Sequence, residues 1–540
     1  MTRKEIISTF ILLTAIFQVS GQNYIQTIDS QYESSKEDAL PGFSITMIKK
    51  DSIICHRSFG FSDIKNKITL DQNTPLAIAS CSKQFTAYCI LLLEEEGKLN
   101  LTDDIRDYIP ELPDYPYTIR IKHLLSHSSG IRDHIVMLGW QNRQKEKYYD
   151  FEGTLEALGE FGGLSFEPGT DFAYSNTGYV LLALITERVS GIEFSEFASQ
   201  RIFEKIGMSN TEFSFRRNTG SPNPYSYDWK KKKFKEFNHQ EVNALGATGI
   251  YTTVSDFIKW DKFLHNPTKD EKQTVKRMFI SDTLNNGRIL NYNNGFKHRQ
   301  FNGFRIVEHS GGWANYNFQY TIIPELGIRI IVGANNEYYY PIGISEKVLK
   351  AILPSDQAPF QNASNFDHVP TFFQNQYVCK DFSTCHIEDL GDQYSITGKN
   401  LYGAIEYPIL KIRNQTVIDS SGNRLIFNLE DTSFIWYGGA YFNNPRTFDV
   451  NFAVDPLILA AHSGVFYSNE LGRLKVKYNQ KKRKFKVKTS FGSNPKVLSN
   501  ENRLLRTDKD FDIIFVDENT ISLGNSRVRV KFTRNNSNKR

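Results

Sequence analysis

Residues 79–99 read ASCSKQFTAYCILLLEEEGKL, a long apolar run preceded by a serine and a lysine three positions apart. Phe85, Tyr88, Cys89, Leu92 and Leu93 recur at i, i+3, i+4, i+7 and i+8, the spacing of one helix face. Ile90 and Leu91 carry the apolar character nearly all round, so the pattern predicts a buried central helix that opens near Ser80 and stops at Gly97. Residues i and i+3 share a helix face, which stands the Lys83 amine beside the Ser80 hydroxyl. A free serine is a weak nucleophile and needs a base. A desolvated lysine, or one beside another cation, can take that proton. The opening turn of a helix also presents backbone N–H groups to a developing oxyanion. The plain structural alternative makes Ser80 an N-cap and Lys83 a surface cation, but apolar surroundings make an idle lysine costly.

Spacing alone does not select this pair. S-x-x-K occurs again at Ser62/Lys65, in a polar stretch with no helical pattern. Y-x-N occurs at Tyr174/Asn176, Tyr292/Asn294 and Tyr441/Asn443, and H-x-G at His309/Gly311 and His462/Gly464. Tyr174-Ser175-Asn176 follows the turn Pro168-Gly169 and precedes a second helix from about Gly178 to Arg188, ended by Gly191. In an extended segment i and i+2 point the same way, so a phenol and an amide face one side. Tyr174 is then a candidate proton carrier, and Asn176 a candidate partner for Lys83 or a substrate amide. Alone, the motif reads more plainly as a capping segment with Asn176 as N-cap. His309-Ser310-Gly311-Gly312 ends the strand-like run Phe304 to Glu308. A substrate can line up against such an edge by main-chain hydrogen bonds, and paired glycines allow close backbone approach. The N–H groups of Gly312 and Ser80 are the candidate oxyanion hole.

Working outward, Gly42 to Ile48 and Ser52 to Gly60 are rich in β-branched and aromatic residues and read as strands. Tyr316 to Ile323 and Ile328 to Ala334 flank the turn Pro324-Glu325-Leu326-Gly327 and read as an antiparallel hairpin. Early strands, central helices and late strands predict an α+β domain whose chain ends complete one sheet. Residues 22–353 form this domain, and the polar, turn-rich stretch 354–368 is read as a linker. Beyond it helical periodicity vanishes. Two β-rich domains, 369–455 and 456–540, are expected as copies of one small barrel or sandwich, opened by Gln376-Tyr377-Val378 and by Gly464-Val465-Phe466-Tyr467. KVKYNQKKRKFKVK, residues 475–488, reads as a hairpin with one basic face, more plainly a lysine-protected solvated edge than a binding surface.

Composition limits the function classes. The chain has 540 residues, 40% hydrophobic and 23% charged, enough for several globular domains. A formal charge of +5 over this length gives no argument for a nucleic-acid partner. Arg3 and Lys4, the apolar run Ile6 to Phe17 and the small residues Val19-Ser20-Gly21 predict a signal peptide over 1–21, with an uncleaved anchor as the alternative. Export to a periplasm or beyond follows, with no membrane span after cleavage. The cysteines are Cys55, Cys81, Cys89, Cys379 and Cys385. Cys379 and Cys385 are close enough in sequence to pair, whereas Cys81 and Cys89 on one helix lie about 12 Å apart, beyond disulfide reach. Neither CxxC nor HExxH occurs, so no metal or cofactor is expected.

In order, spacing and flanks these residues resemble the serine β-lactamase-related hydrolases: class C β-lactamases, penicillin-binding DD-peptidases, D-aminopeptidases and related esterases. Ala79 to Phe85 is similar to that family's nucleophile helix, and Glu95-Glu96-Gly97-Lys98-Leu99 to its end. His123-Leu124-Leu125-Ser126-His127-Ser128-Ser129-Gly130 is similar to its LLxHxSG stretch. Glu167-Pro168-Gly169 through Tyr174 to Tyr179, and Gly249 to Asp256, match further recurrent segments. The resemblance covers about residues 30–350. It implies an antiparallel sheet packed by helices with a helical insertion. It also implies an acyl-enzyme on Ser80, with Lys83 and Tyr174 moving protons and His127 structural. One departure stands out: true β-lactamases carry K-T-G where this chain has His309-Ser310-Gly311. A histidine is largely neutral near pH 7, so the attraction for a substrate carboxylate is missing. That favours an ester, an amide or a D-amino-acid peptide, with the cell wall as one source, over a β-lactam. The D-aminopeptidase layout, a catalytic domain and two β-domains, fits as well. The alternative is a catalytically silent protein that binds peptidoglycan fragments or β-lactams. Specificity is expected from the loops Val136 to Gly163 and Asn218 to Asn243.

Overall fold

The computed structural model describes residues 40–353, except 142, 144–149, 215–219, 229, 238–243 and 302–303, and mainly strands between 376 and 534. The expected leader at 1–21, the linker at 354–368 and any Cys379–Cys385 link lie outside the described residues. The chain forms two compact units: 1–92 with 192–280 and 294–360, and 93–191 with 281–293 and 361–540.

The first unit is built on an antiparallel sheet. Its strands are β1 (Phe43–Lys49), β2 (Ser52–Phe59), β3 (Phe296–Phe301), β4 (Phe304–Trp313), β5 (Tyr316–Ile323) and β6 (Ile328–Ala334). They run in the order β3-β4-β5-β6-β1-β2. Phe43 pairs with Ala334 and Lys49 with Ile328, so the early and late strands complete one sheet as the sequence predicts. The Pro324–Leu326 turn closes the β5–β6 hairpin, with Gly327 at φ 58° and Ile323 opposite Ile328. Both faces of β6 are buried, which calls for cover on each side. On one face Ile45, Met47, Ile330 and Val332 meet Ile344, Val348 and Leu349 of helix Pro341–Ile352. On the other, Phe257 of helix Val254–His265 packs edge-on against Phe318 and Tyr320.

Trp260 of that same helix stacks on Phe85 at 4.3 Å and meets Tyr88 at 5.7 Å, which ties in the helix Lys83–Glu95. A buried ion pair fixes the arrangement. Arg329 on β6 donates through Nε and Nη2 to Asp261 at 3.0 Å each, and Tyr320 Oη donates to the same carboxylate at 2.6 Å. Such a pair contributes little net stability but is costly to break, about 3–5 kcal/mol when one partner is lost. It therefore sets how the helix sits on the sheet more than how tightly.

Two local expectations change. The regular α-helix starts at Lys83, and Ala79–Ser82 is a 3-10 turn capped by Ile78 and not by Ser80. The chain leaves strand Leu76–Ala77 so sharply that Ala79 takes φ 47° and the Cys81 N–H bonds back to Ile78 O. β4 also continues through Trp313 instead of ending at Glu308, because His309 to Trp313 pair with Tyr320 to Tyr316.

In the second unit the helix Asn176–Ser190 is buried from Asn176 to Thr186 and stops at Gly191, φ 72°. Its N-cap is Ser175, not Asn176. Tyr179 Oη donates to Leu125 O, and a Cβ on Gly178 would meet Leu124 O at 3.5 Å, so this helix lies close on Ile121–Leu125. The C-terminal region is β-rich. Strands from Gln376 to Val450 close an eight-stranded barrel, and strands from Gly464 to Arg534 form an eight-stranded sheet whose first and last strands pair and whose edges are Lys484–Thr489 and Val497–Glu501. Lys475 pairs with Lys488 and Lys477 with Lys486, all exposed, above the buried pair Val476–Val487. The basic hairpin is there.

Burial holds the imidazoles of His123, His134 and His298 down to about 4. Folded, they stay neutral where the unfolded chain, with ordinary values of 6.5, takes up protons. The unfolded state binds more protons between pH 6.5 and 4, so stability falls as pH drops through that window. Urea midpoints measured from pH 7.5 to 4.5 are expected to decline below pH 6.5, with a shallower decline in His134→Gln.

Candidate functional site

The Ser80 turn is framed by the segment 246–252. Strand Leu76–Ala77 pairs with Ile250–Thr252, and the Ile78 N–H donates to Ile250 O at 3.1 Å. In return Ile250 N–H donates to Ser82 Oγ, and Thr86 Oγ1 donates to Gly246 O. Lys83 has 0% exposure; its Nζ donates to Ala247 O at 2.7 Å and to Ser80 Oγ at 3.3 Å. The sequence-predicted pair is therefore assembled, with the lysine dry. Cys81 stands next to Ser80, but burial pushes its thiol up and it donates to His309 O at 3.3 Å. It is held as a protonated hydrogen-bond donor, which leaves the Ser80 hydroxyl as the reactive candidate.

The third motif meets this turn edge-on. A Cβ on Gly311 would fall 2.0 Å from Ile78 O and 3.1 Å from the Ser80 nitrogen. No side chain fits there. Gly312, the next residue, is exposed and open apart from Asn317 Oδ1 at 3.2 Å. His309 is buried; its Nδ1–H donates to Ser310 O at 2.7 Å, which leaves Nε2 as the acceptor nitrogen. Burial first, then the charges of Lys297 and Lys83, hold its pKa well below 6.5. It is neutral at pH 7, and the cation of K-T-G is not replaced at this position. A Cβ on Gly295, φ 79°, would lie 2.6 Å from the Gln84 nitrogen, so a second backbone approach clamps the start of the helix.

Tyr174 and Asn176 belong to the second unit. Asn176 donates through its backbone N–H and through Nδ2 to Asp133 Oδ2, at 3.0 Å each. That network assigns the amide orientation, with Oδ1 turned away from Asp133. The other Asp133 oxygen caps the helix His134–Trp140 through the Ile135 and Val136 N–H groups. Tyr174 is half-buried, and its ring lies 4.3 Å from the imidazole of His127. His127, at φ 54°, also packs on Tyr179 and Tyr292, and its Nδ1 accepts the Ser175 N–H at 3.2 Å.

The competing motifs resolve. Ser62 Oγ donates to Ile68 O and Thr69 O, which accounts for its hydroxyl. Tyr292 of the second Y-x-N packs against Tyr174 at 5.9 Å. Tyr441, Asn443 and His462 lie outside the described residues. Sequence reasoning passed over Asp133 and the Ala247 carbonyl. An Asp before the apolar run His134 to Trp140 is an N-cap signal that could have found the first; nothing in a sequence marks a backbone carbonyl 164 positions away. Among the described residues no group of three or more His, Cys, Asp and Glu could hold a metal, and no helix is long and apolar enough to cross a membrane.

Residues 26–352 match the Beta-lactamase family. Penicillin-binding protein 4* of Bacillus subtilis is 32% identical over 315 residues, 55% of this chain and 68% of that protein. A D-aminopeptidase of Brucella anthropi is 26% identical over 301 residues, 54% of this chain and 55% of the enzyme. The matches thus span between about half and two thirds of these relatives' lengths. An octameric penicillin-binding protein homologue from Pyrococcus abyssi shares the fold at a TM-score of 0.53 and 22% identity, covering 79% of this chain and 99% of its own.

Gly311→Ala forces the added methyl into the Ile78 carbonyl. Overpacking of this kind costs roughly 1–3 kcal/mol, and relief must come by moving the Ser80 turn. Denaturant unfolding is expected to show that loss. The reactivity of Ser80 toward an acylating probe is expected to fall together with it, whereas Gly312→Ala leaves stability nearly unchanged.

Proposed function

Because the chain belongs to the Beta-lactamase family, we propose that it is a serine hydrolase that forms an acyl-enzyme on Ser80 and acts on an ester, an amide or a D-amino-acid peptide. One observation carries this reading: a lysine without solvent exposure holds its Nζ 3.3 Å from the Ser80 hydroxyl. In the proposed reaction Ser80 Oγ attacks the substrate carbonyl carbon as Lys83 Nζ takes its proton. The N–H groups of Ser80 and Gly312 receive the oxyanion. Tyr174 relays that proton from Lys83 to the leaving group as its bond to the carbonyl carbon breaks, and a water molecule then attacks the acyl carbon, giving one proton back through the same pair to restore the Ser80 hydroxyl. Asn176, His309 and Gly311 complete the substrate-binding set.

The neutral His309 supports the choice of substrate class. A β-lactam or a C-terminal D-alanine presents a carboxylate, and a neutral imidazole gives it no charge to bind. The D-aminopeptidase relative supports the same choice. The export pattern at residues 1–21 supports action outside the cytoplasm, where cell-wall fragments are a source of D-amino-acid peptides.

A panel of p-nitrophenyl esters, D-amino-acid p-nitroanilides and a chromogenic cephalosporin tests this. Turnover is expected on an ester or an anilide and to be weakest on the cephalosporin. Ser80→Ala is expected to lower kcat/KM at least about 10³-fold, and Lys83→Ala about 10²- to 10⁴-fold. Cephalosporin as the best substrate, or unchanged turnover in Ser80→Ala, would contradict the reading.

A further inference from the structure

Arg529 opens the last strand, Arg529–Arg534, and reaches into the segment that carries the second motif. Its side chain is 14% exposed. Nη1 donates to Asp171 Oδ2 at 2.8 Å, and the guanidinium lies over the Phe166 ring at 5.7 Å. Its backbone N–H donates to Ser165 Oγ at 3.2 Å, and its carbonyl accepts from Arg132 Nε at 3.1 Å. One residue thus engages the segment through its side chain and through both main-chain polar groups. All of these residues lie within the second unit.

The partners flank the motif. Asp171 precedes Tyr174 by three positions, and between them Phe172 packs on His127 and Ala173 N–H bonds to His127 O. Arg132 adjoins Asp133, the carboxylate that holds Asn176. Arg132 O accepts from Thr177 Oγ1, and Arg132 Nη2 donates to Leu164 O. Burial alone would raise the Asp171 carboxyl. The Arg529 charge and hydrogen bond, then the Phe172 N–H and Arg288, bring it below the ordinary range, so it is ionised at neutral pH. Arg288 Nη2 holds the second Asp171 oxygen at 3.3 Å. A bidentate-capable guanidinium, largely withdrawn from water, facing an ionised carboxylate is a directional contact that a lysine matches only as a point charge.

We infer that Arg529 is a positioning residue: through Asp171 and Arg132 the last C-terminal strand holds Tyr174 and Asn176 in their working geometry, so the C-terminal β-rich region completes the acylation machinery. This rests on the roles proposed above for Tyr174 and Asn176. A misplacement of about 1 Å in such a group can slow chemistry on the order of 10²-fold, so the consequence is kinetic even where the fold survives.

The test uses the full chain as wild type, Arg529→Ala, Arg529→Lys and Asp171→Asn. Ser80 labelling by a fluorophosphonate is followed by intact mass against time, and rates are normalised to the fraction that finally labels. Turnover of the best ester or anilide is followed across pH. The wild type is expected to label. Arg529→Ala and Asp171→Asn are expected to label about 10- to 100-fold more slowly, with kcat reduced, KM within about twofold and a displaced pH profile. Arg529→Lys is expected to recover part of the rate. A merely structural contact would lower the fraction that labels and leave the normalised rate and pH profile unchanged, which would overturn the inference. Asp171→Asn keeps the shape of the site and decides the matter if Arg529→Ala does not fold. A wild type that does not label would overturn the proposed reaction and this inference together; a labelled wild type with equally fast variants would overturn this inference alone.

Discussion

Lys83 carries its amine into a place with no solvent, and the surrounding structure is arranged to hold it there. A buried polar head needs partners in fixed positions, and here they include the Ala247 carbonyl and the Ser80 hydroxyl. Ala247 is fixed because the segment 246–252 is laced to the Ser80 turn by Thr86, Ser82 and Ile78. Two glycines approach closely here, Gly311 on the turn at Ile78 and Gly295 on the start of the helix at Gln84. The cost is local strain. Ala79 sits at φ 47°, a conformation an L-residue adopts only when its surroundings over-determine it.

The second unit solves a similar problem with different means. Asn176 starts a buried helix and Tyr174 lies just before its cap, and both side chains meet neighbours distant in the chain. Asp133 fixes the amide, the His127 ring fixes the phenol, and Arg529 grips the segment from a strand more than 350 positions away. The β-rich C-terminal region supplies a largely covered guanidinium to the segment that precedes Tyr174.

Much of this was legible in the chain. The central helix was written in the 3.6-residue spacing from Phe85 to Leu93, and the closing of the sheet by its early and late strands in the β-branched and aromatic run from Gly42 to Ile48 and the run from Ile328 to Ala334. Ser80 and Lys83 were legible because an apolar helix makes a stray lysine expensive, which is also why Ser62 and Lys65 failed as rivals. What stayed hidden depends on long-range placement. The 3-10 start of the helix arises from a sharp exit out of a strand that pairs with residues far along the chain. Ser175 holds the cap position, and the Asn176 amide bonds to Asp133, 43 positions away. Arg529 carries no local signal: an arginine at the head of a strand looks like any edge cation until Asp171 and Arg132 are seen beside it.

The most direct measurement is peptide mapping of the covalent adduct formed when folded chain reacts with a fluorophosphonate. One adduct per chain is the expected result, on the peptide that contains Ser80, abolished by Ser80→Ala and by prior unfolding. An adduct on Ser62 or elsewhere with Ser80 unmodified, or no adduct on folded protein, would contradict it.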